Sequence, residues 1–461
     1  MEKNMNRRNF LSSAALGSAA AFGTLSTLGT MGASSGLLAS GSASKTASGT
    51  ASETAFQPLR PNPKAPVTQL THGPKYHWGA YYDQLHFDPT DRLVTGLEVD
   101  FHHRSPEPTD RIQVGLIDLE DKNRWTPIGS SVAWNWQQGP MFQWIPGREK
   151  FEDAEVVWND RDGDRFYAHV YCPATGKYRE LPHAAYVLAP NGEYALFPDF
   201  ARLNDTRPGY GYCGVPDKNA NVAAPDDAGI WKMDLRTGET KLLFSFRQVA
   251  DMVPEGGYSK GAKHWFNHIL IAPDSKRFLF LHRWRGEDEI KPNWAGWKTR
   301  LMTANADGSD IYVLNPFNMT SHLVWRDPTH IIAYANRPTH GNRFYVFEDK
   351  TQNTSPVGAD IMKVDGHVSY LPFTDQKWIL NDTYPDRERY QHPFLFHLPT
   401  EMKIPLGDFY LGTDFKGEWR CDLHPRASRD GRKVLVDSAH DGGRQIYMID
   451  LTEYDELLRG K

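Results

Sequence analysis

The chain of 461 residues carries a formal net charge of -5 and is 12% aromatic, with 31 Pro and 38 Gly. The acidic balance leaves no basic footprint and argues against a nucleic-acid partner, although a local cationic cleft for an anionic ligand is compatible with an acidic protein. Abundant Gly, Pro and aromatic residues suit many short strands joined by turns rather than a helical bundle.

The first element is the Arg pair in Asn6-Arg7-Arg8-Asn9-Phe10-Leu11, followed by a weakly apolar Ala/Gly/Ser stretch that runs to Leu38. Residues 1–38 read as a twin-arginine export signal, which implies a periplasmic or secreted protein. Gly, Ser and Thr interrupt the stretch too often for a transmembrane helix, so no membrane span is expected once the signal is removed. Residues 39–65 read as a low-complexity linker rich in Ala, Ser and Thr, and 66–461 as the folded domain, expected to be a monomer. Cys172, Cys213 and Cys421 form neither a C-x-x-C pair nor an even disulfide framework.

Within the domain, one unit recurs seven times: a strand, a Pro-Asp or Asp-Gly turn, a second strand, and a third strand leading through a Thr-Gly-like turn to a fourth. It begins at Leu85-His86-Phe87-Asp88-Pro89, Phe142-Gln143-Trp144-Ile145-Pro146 and Tyr186-Val187-Leu188-Ala189-Pro190, then at His268, His322, His367 and His424. Repeats of about 40–55 residues with up to four strands predict an all-β fold, a seven-bladed β-propeller. The last unit ends on Gln445 to Leu451 without an outer strand. The segment from about Val67 to Tyr81 is placed to supply one and close the ring without an open edge.

His268, His322, His367 and His424 occupy one register of four successive units, where the innermost strand of a blade enters beside the central channel. With 18 His in the whole chain, that coincidence is poorly explained by composition. Converging neutral imidazoles with one position left open make a Lewis-acid metal site. Asp422 lies two positions before His424, on the same side of an extended strand, and is either a carboxylate ligand or an orienting partner for an imidazole. The insertion from Asp199 to Asp227 is long, rich in Gly, Pro and Tyr, and free of strand pattern, as a binding loop is. Its Arg207, Tyr210 and Tyr212 are placed to contact an anionic sugar. Trp134-Asn135-Trp136-Gln137-Gln138 offers rings and amides either to carbohydrate or to the core. His264, Lys263 and Arg283 read as structural or surface positions, and Cys421 as a small buried residue.

The stretches HILIAP from His268, SHLVW around His322, GHVSYLP around His367 and Cys421-Asp422-Leu423-His424-Pro425-Arg426 carry a resemblance. From about Lys263 to Leu451 the chain resembles the oligogalacturonate lyases, seven-bladed propeller polysaccharide lyases. The resemblance implies that His268 is the catalytic His and that His322 is a manganese ligand. In the family's last-blade motif, Q-x-x-H-P-H, the second His matches His424, the first is Asp422 here, and the Gln falls on Trp419, beside Glu418. What the resemblance implies is metal-assisted β-elimination on a uronic-acid oligosaccharide or polysaccharide. The divalent cation, Mn2+ first and Zn2+ or Ca2+ as alternatives, would be held by His322, His424 and either His367 or Asp422. His268 is then the base, with Arg207 and Tyr210 as helpers. Ulvan lyases, also seven-bladed propellers with a metal, leave another uronate polysaccharide open. An exported, non-catalytic propeller that binds glycan or protein is the competing class.

Overall fold

Alternation along short strands dictates how the sheets stack. In the strand His330–Arg337, Ile331, Ala333 and Ala335 pack with Leu281 and Leu301, whereas Ile332 and Tyr334 pack with Ile379 and Phe396. Successive side chains on a strand point to opposite faces, so a strand apolar at every position sits between two sheets. The same division recurs at the seam between chain ends, where Leu70, Val94, Ile117, Leu435 and Ile446 form one cluster. The protein is therefore held together by layers between neighbouring sheets, each fully buried Leu or Ile contributing about 1.5–3 kcal/mol.

The computed structural model describes residues 59–287 and 296–460. The export signal predicted over 1–38 lies outside the described residues, as does the first part of the linker. Seven antiparallel sheets of four strands follow one another along the chain. Their first strands are Tyr76–Trp78, Gln143–Trp144, Val187–Leu188, Lys263–Ile271, Thr320–Asp327, Ser369–Tyr370 and Arg426–Ala427. From the third sheet to the sixth, these first strands touch one another in succession, which places them along the axis of a β-propeller. No described helix is long and apolar enough to cross a membrane.

The expectation of seven units needs correction, because the described residues form eight sheets. The additional one has three strands, Arg60–Pro61, Gly407–Tyr410 and Tyr390–Gln391 in that order. Its sequence signal was masked by the charged, Pro-interrupted run Tyr384 to Arg389. There the Asp386 carboxylate accepts the backbone N–H of Glu388 and Tyr390 and sets the turn. Residues 59–65, read as linker, carry structure: Arg60 and Pro61 pair in the eighth sheet, and Ala65 is fully buried. The first unit also shifts. Leu85 to Pro89 makes only an isolated bridge between Phe87 and Val94, because the Asp88 carboxylate accepts from the N–H of Arg92 and Leu93 and closes a tight turn. Tyr76–Trp78 takes the first-strand place instead.

Closure follows the sequence expectation in part. Val67–Gln69 pairs with Tyr447 to Ile449 as the outer strand of the seventh sheet, and the chain then crosses directly into the first sheet. At this seam the buried Asp437 carboxylate accepts the N–H of Gly79 at 2.8 Å and of Ala80 at 3.2 Å, and pairs with Arg426 at 2.8 Å. Asp437→Ala strands the Arg426 guanidinium in the interior, and the expected loss is about 3–5 kcal/mol. Urea unfolding of the purified variant checks this, with a lower midpoint at unchanged slope.

Candidate active site

Two of the four His reach the channel by left-handed backbone. His268 lies at a register shift between Asn267 and Leu270 and has a φ of 52°, and His424, two residues ahead of Arg426–Ala427, has a φ of 44°. Left-handed backbone at a non-Gly residue costs about 1–3 kcal/mol and persists only where the surroundings impose it. His322 lies within Thr320–Asp327 and His367 just ahead of Ser369–Tyr370. The His367 ring centroid is 4.2 Å from that of His322 and 4.3 Å from that of His424.

His367, Asp422 and His424 offer donor atoms that all lie within 4.8 Å of one another. His367 Nε2, His424 Nε2 and Asp422 Oδ1 are buried with no hydrogen-bond partner. An orphaned buried polar atom is costly, about 1–3 kcal/mol each, and a divalent cation satisfies three such lone pairs together. Behind the trio stand carboxylates. His367 Nδ1 meets Asp382 Oδ1 at 2.9 Å, and His322 Nδ1 meets Asp365 Oδ1 at 2.9 Å. A carboxylate at Nδ1 fixes the N–H there and leaves Nε2 as the lone-pair nitrogen, the arrangement usual for metal-binding imidazoles. Asp422 Oδ2 accepts from Arg420 Nε at 2.6 Å, so Oδ1 is its free oxygen. These residues fit a divalent cation, with His322 just outside the closest trio.

Asp365 and Asp382 were not singled out in the sequence. Asp365 has a signal in Asp365-Gly366-His367, two positions from the ligand candidate. Asp382 is brought in only by close backbone packing: a Cβ at position 366 would lie 2.0 Å from the Asp382 carbonyl, so Gly366 alone permits the His367 N–H to reach Asp382 Oδ1 at 2.7 Å.

Across the channel from the trio stands His268. Its Nδ1 is 3.4 Å from the Tyr81 hydroxyl, and the Tyr81 ring lies 4.7 Å from that of His424. Burial first, and then the Arg283 guanidinium, hold the His268 imidazole well below its usual range, and burial with His367 does the same to His424, so both are neutral at pH 7. Burial also presses on His367, but Asp382 outweighs it and the net shift is upward. The Tyr210 ring lies 5.3 Å from His268, and its hydroxyl accepts from Arg420 Nη2 at 2.9 Å. Burial raises this phenol, yet Arg420 and Arg207 outweigh it and bring it below the ordinary tyrosine value. Arg207 lies over the Tyr210 ring at 4.8 Å. The structure thus brings His268, Tyr210, Arg207, His322, His367, His424 and Asp422 near one another, without Tyr212.

Other candidates fall elsewhere. Tyr212 stacks on Phe200 at 4.4 Å and accepts from Asn159. Trp134 and Trp136 are 1% exposed and donate to the carbonyls of Asp110 and Arg104, which makes them core. His264 is paired with His282, Lys263 with Asp205, and Cys421 is fully buried. Sequence reasoning missed Tyr81 and Tyr82, which project between the His rings from the connection that follows the first strand of the first sheet, Tyr76–Trp78; the Tyr doublet itself was the available signal. Half-buried Arg207, Trp297, Asp365, Tyr384 and Arg420 mark the side from which solvent reaches the site. A wide surface depression of about 730 Å³ lined by Arg148, Arg179, Glu193 and Asp234 contains none of these residues.

No protein-family model and no curated protein matches the chain. Among solved structures, an oligogalacturonate lyase from Vibrio parahaemolyticus is similar with a TM-score of 0.58 at 14% identity, over 85% of this chain and 95% of that one. An oligogalacturonate lyase in complex with manganese is similar with a TM-score of 0.56 at 14% identity, over 86% of this chain and 97% of that one. TolB from Acinetobacter baumannii is also matched, at 12% identity and a TM-score of 0.38 over 80% of this chain and 84% of that one. At such identities the likeness is one of β-propeller fold, and fold alone does not assign an activity.

The site predicts metal content. Purified protein incubated with Mn2+ or Zn2+ and desalted should retain about one equivalent by elemental analysis. His367→Ala and Asp422→Ala should lose it, and Asp382→Asn should weaken affinity about 10–100-fold while the circular dichroism spectrum is unchanged.

Proposed function

We propose that the protein is an exported lyase that cleaves uronic-acid-containing glycans by β-elimination, with oligogalacturonate as the first substrate to test. The observation that carries this reading is the pairing of two half-sites across Tyr81: a trio of orphaned metal-ligand atoms on one side, a neutral His beside a phenol and guanidinium groups on the other. Its support from outside the chain is the likeness in fold to oligogalacturonate lyases, one of them a manganese complex. The seven four-stranded sheets are read as the blades of the ring and the eighth as an appendage.

His367, His424 and Asp422, with His322 beside them, would hold the cation. When bound, a divalent cation neutralises the uronate carboxylate and so acidifies the proton on C5. His268 accepts that proton on Nε2, because Nδ1 faces the Tyr81 hydroxyl. The electron pair released forms the C4=C5 double bond, and the bond from C4 to the glycosidic oxygen breaks. Tyr210 donates its phenolic proton to the departing oxygen, a transfer made easier by Arg420 and Arg207 beside the phenol. Burial of His268 keeps the base unprotonated, and Arg207 adds positive charge where the anionic sugar enters.

Ultraviolet absorbance of the unsaturated product, measured on galacturonate, ulvan, alginate and glycosaminoglycan oligomers, tests the reading. His268→Ala should lower turnover about 10²–10⁴-fold with metal retained, whereas His367→Ala should lose metal and turnover together. If His268→Ala sheds metal as fully as His367→Ala, the base assignment passes to Tyr210. A chain that binds metal but generates no unsaturated product from any of these glycans is a binding propeller instead.

A further inference from the structure

Buried arginines in this protein are matched. Arg202 faces Asp217 at 3.1 Å, Arg420 faces Asp422 at 2.6 Å and Arg426 faces Asp437 at 2.8 Å. Arg300 and Arg444 donate to main-chain carbonyls instead. Beside His268 and Tyr210, two arginines depart from this pattern. Arg283, 6% exposed, donates from Nε to Thr299 Oγ1 at 3.2 Å, and among the described residues no carboxylate lies within ion-pair distance of it. Arg207 has a buried Nε with no partner, and likewise meets no carboxylate among the described residues. Both guanidinium groups lie on one ring, Trp297, with their central carbons 4.5 Å and 5.5 Å from its centroid.

Two like charges over one indole, partly out of water and with no carboxylate among the described residues to offset them, are a costly arrangement in the free protein. Burial and the neighbouring Arg207 hold the Arg283 guanidinium down to about 10, yet it still carries its charge at neutral pH. The cost is recovered only when an anion with several acceptor oxygens enters, since guanidinium forks match carboxylate and sulfate geometry. Trp297 adds an apolar face of the kind on which a sugar ring rests. This seat is also distinct from the metal trio, whose own guanidinium, Arg420, is already neutralised by Asp422.

Resting on the lyase reading, we infer that Arg207, Trp297 and Arg283 form a second anionic subsite, which holds a charged group on the sugar next to the one being cleaved. The substrate class is then a glycan with two neighbouring anionic residues. The second group is a carboxylate, as in a run of uronates, or a sulfate ester, as in a sulfated uronate polysaccharide.

Isothermal titration calorimetry on the full chain in EDTA, where no turnover intervenes, separates these outcomes. The probes are trigalacturonate, a sulfated ulvan trisaccharide and a neutral trisaccharide. The wild type should bind at least one anionic probe and bind the neutral one far more weakly. Arg283→Gln and Arg207→Gln should each weaken the anionic probe roughly 10–100-fold, and Arg283→Lys should recover part of that loss. The tighter anionic probe identifies carboxylate or sulfate. Should Arg283→Gln lose its circular dichroism spectrum, Arg207→Gln and Arg283→Lys carry the comparison. Equal binding of the neutral probe, failure to bind either anionic probe, or unchanged affinity in the folded variants overturns the subsite. Binding that depends on both arginines without turnover on any glycan would retain the subsite and reject the lyase. Turnover with a KM insensitive to Arg283→Gln would do the reverse.

Discussion

Asp437 fixes the rest of the structure through one buried junction. It accepts two main-chain N–H groups from Gly79 and Ala80 and two from the Arg426 guanidinium, which in turn donates to the Ala80 carbonyl at 3.1 Å. A Cβ at Gly79 would come within 2.6 Å of Arg426 Nη2, so only Gly lets the chain pass this close. Ala80 then turns with a φ of 84° and projects Tyr81 and Tyr82 across the channel. At the far side the Tyr82 hydroxyl accepts from Leu323 N and donates to Leu323 O, each at 3.1 Å. Closing the ring and packing the four His are therefore one event. A buried ion pair adds little net stability against an apolar replacement; what it contributes here is a single position for Tyr81.

The charges around that wedge are segregated. Asp365, Asp382 and Asp422 stand behind the imidazoles of the trio side, and Arg207, Arg283 and Arg420 stand around His268 and Tyr210. Among the four imidazoles only His367 is raised, because Asp382 outweighs its burial; burial lowers His322 and His424 on the same side, and burial with Arg283 lowers His268. One face thus presents carboxylates with imidazoles and the other presents guanidinium groups, with the Tyr81 and Tyr82 rings between the imidazoles. Arg420 is the hinge between them, bonded at once to Asp422 and to Tyr210. It withdraws one oxygen of Asp422 from any cation and lowers the phenol on the opposite side.

The propeller was legible because its information is local and repeated: strand alternation and turn residues recur at each unit, and His at one register survives any error of a few residues in strand ends. The outer strand supplied by Val67–Gln69 was legible for a different reason, since an unpaired edge demands a partner. The eighth sheet was not legible, because one of its three strands, Arg60–Pro61, comes from the opposite end of the described chain and two of them are only two residues long. Asp382 and Tyr81 escaped for the same reason. Each acts through a contact made by tertiary packing, Asp382 over Gly366 and Tyr81 over the Asp437 junction, and apart from the Tyr doublet neither differs in the sequence from any acid or aromatic near a strand end.

The register of the repeat gives all four His an equivalent start, so sequence cannot separate a metal ligand from a proton acceptor; their partners can. His322 and His367 each have an aspartate at Nδ1, which fixes the tautomer and makes Nε2 a better donor to a cation. His424 has Asp422 Oδ2 at 3.9 Å from its Nε2, too far for a hydrogen bond, and its Nε2 and Asp422 Oδ1 are both left without a partner. Among the described residues, His268 has no carboxylate at either nitrogen, only a phenol at 3.4 Å. A carboxylate partner would stabilise an imidazolium and also tie the ring to one cation-binding tautomer, whereas a phenol leaves it free to gain and lose a proton within a turnover. On the proposed lyase reading, the lack of an aspartate behind His268 among the described residues, in a channel that places one behind two of its three counterparts, is the physical ground for giving it the base and not the fourth ligand.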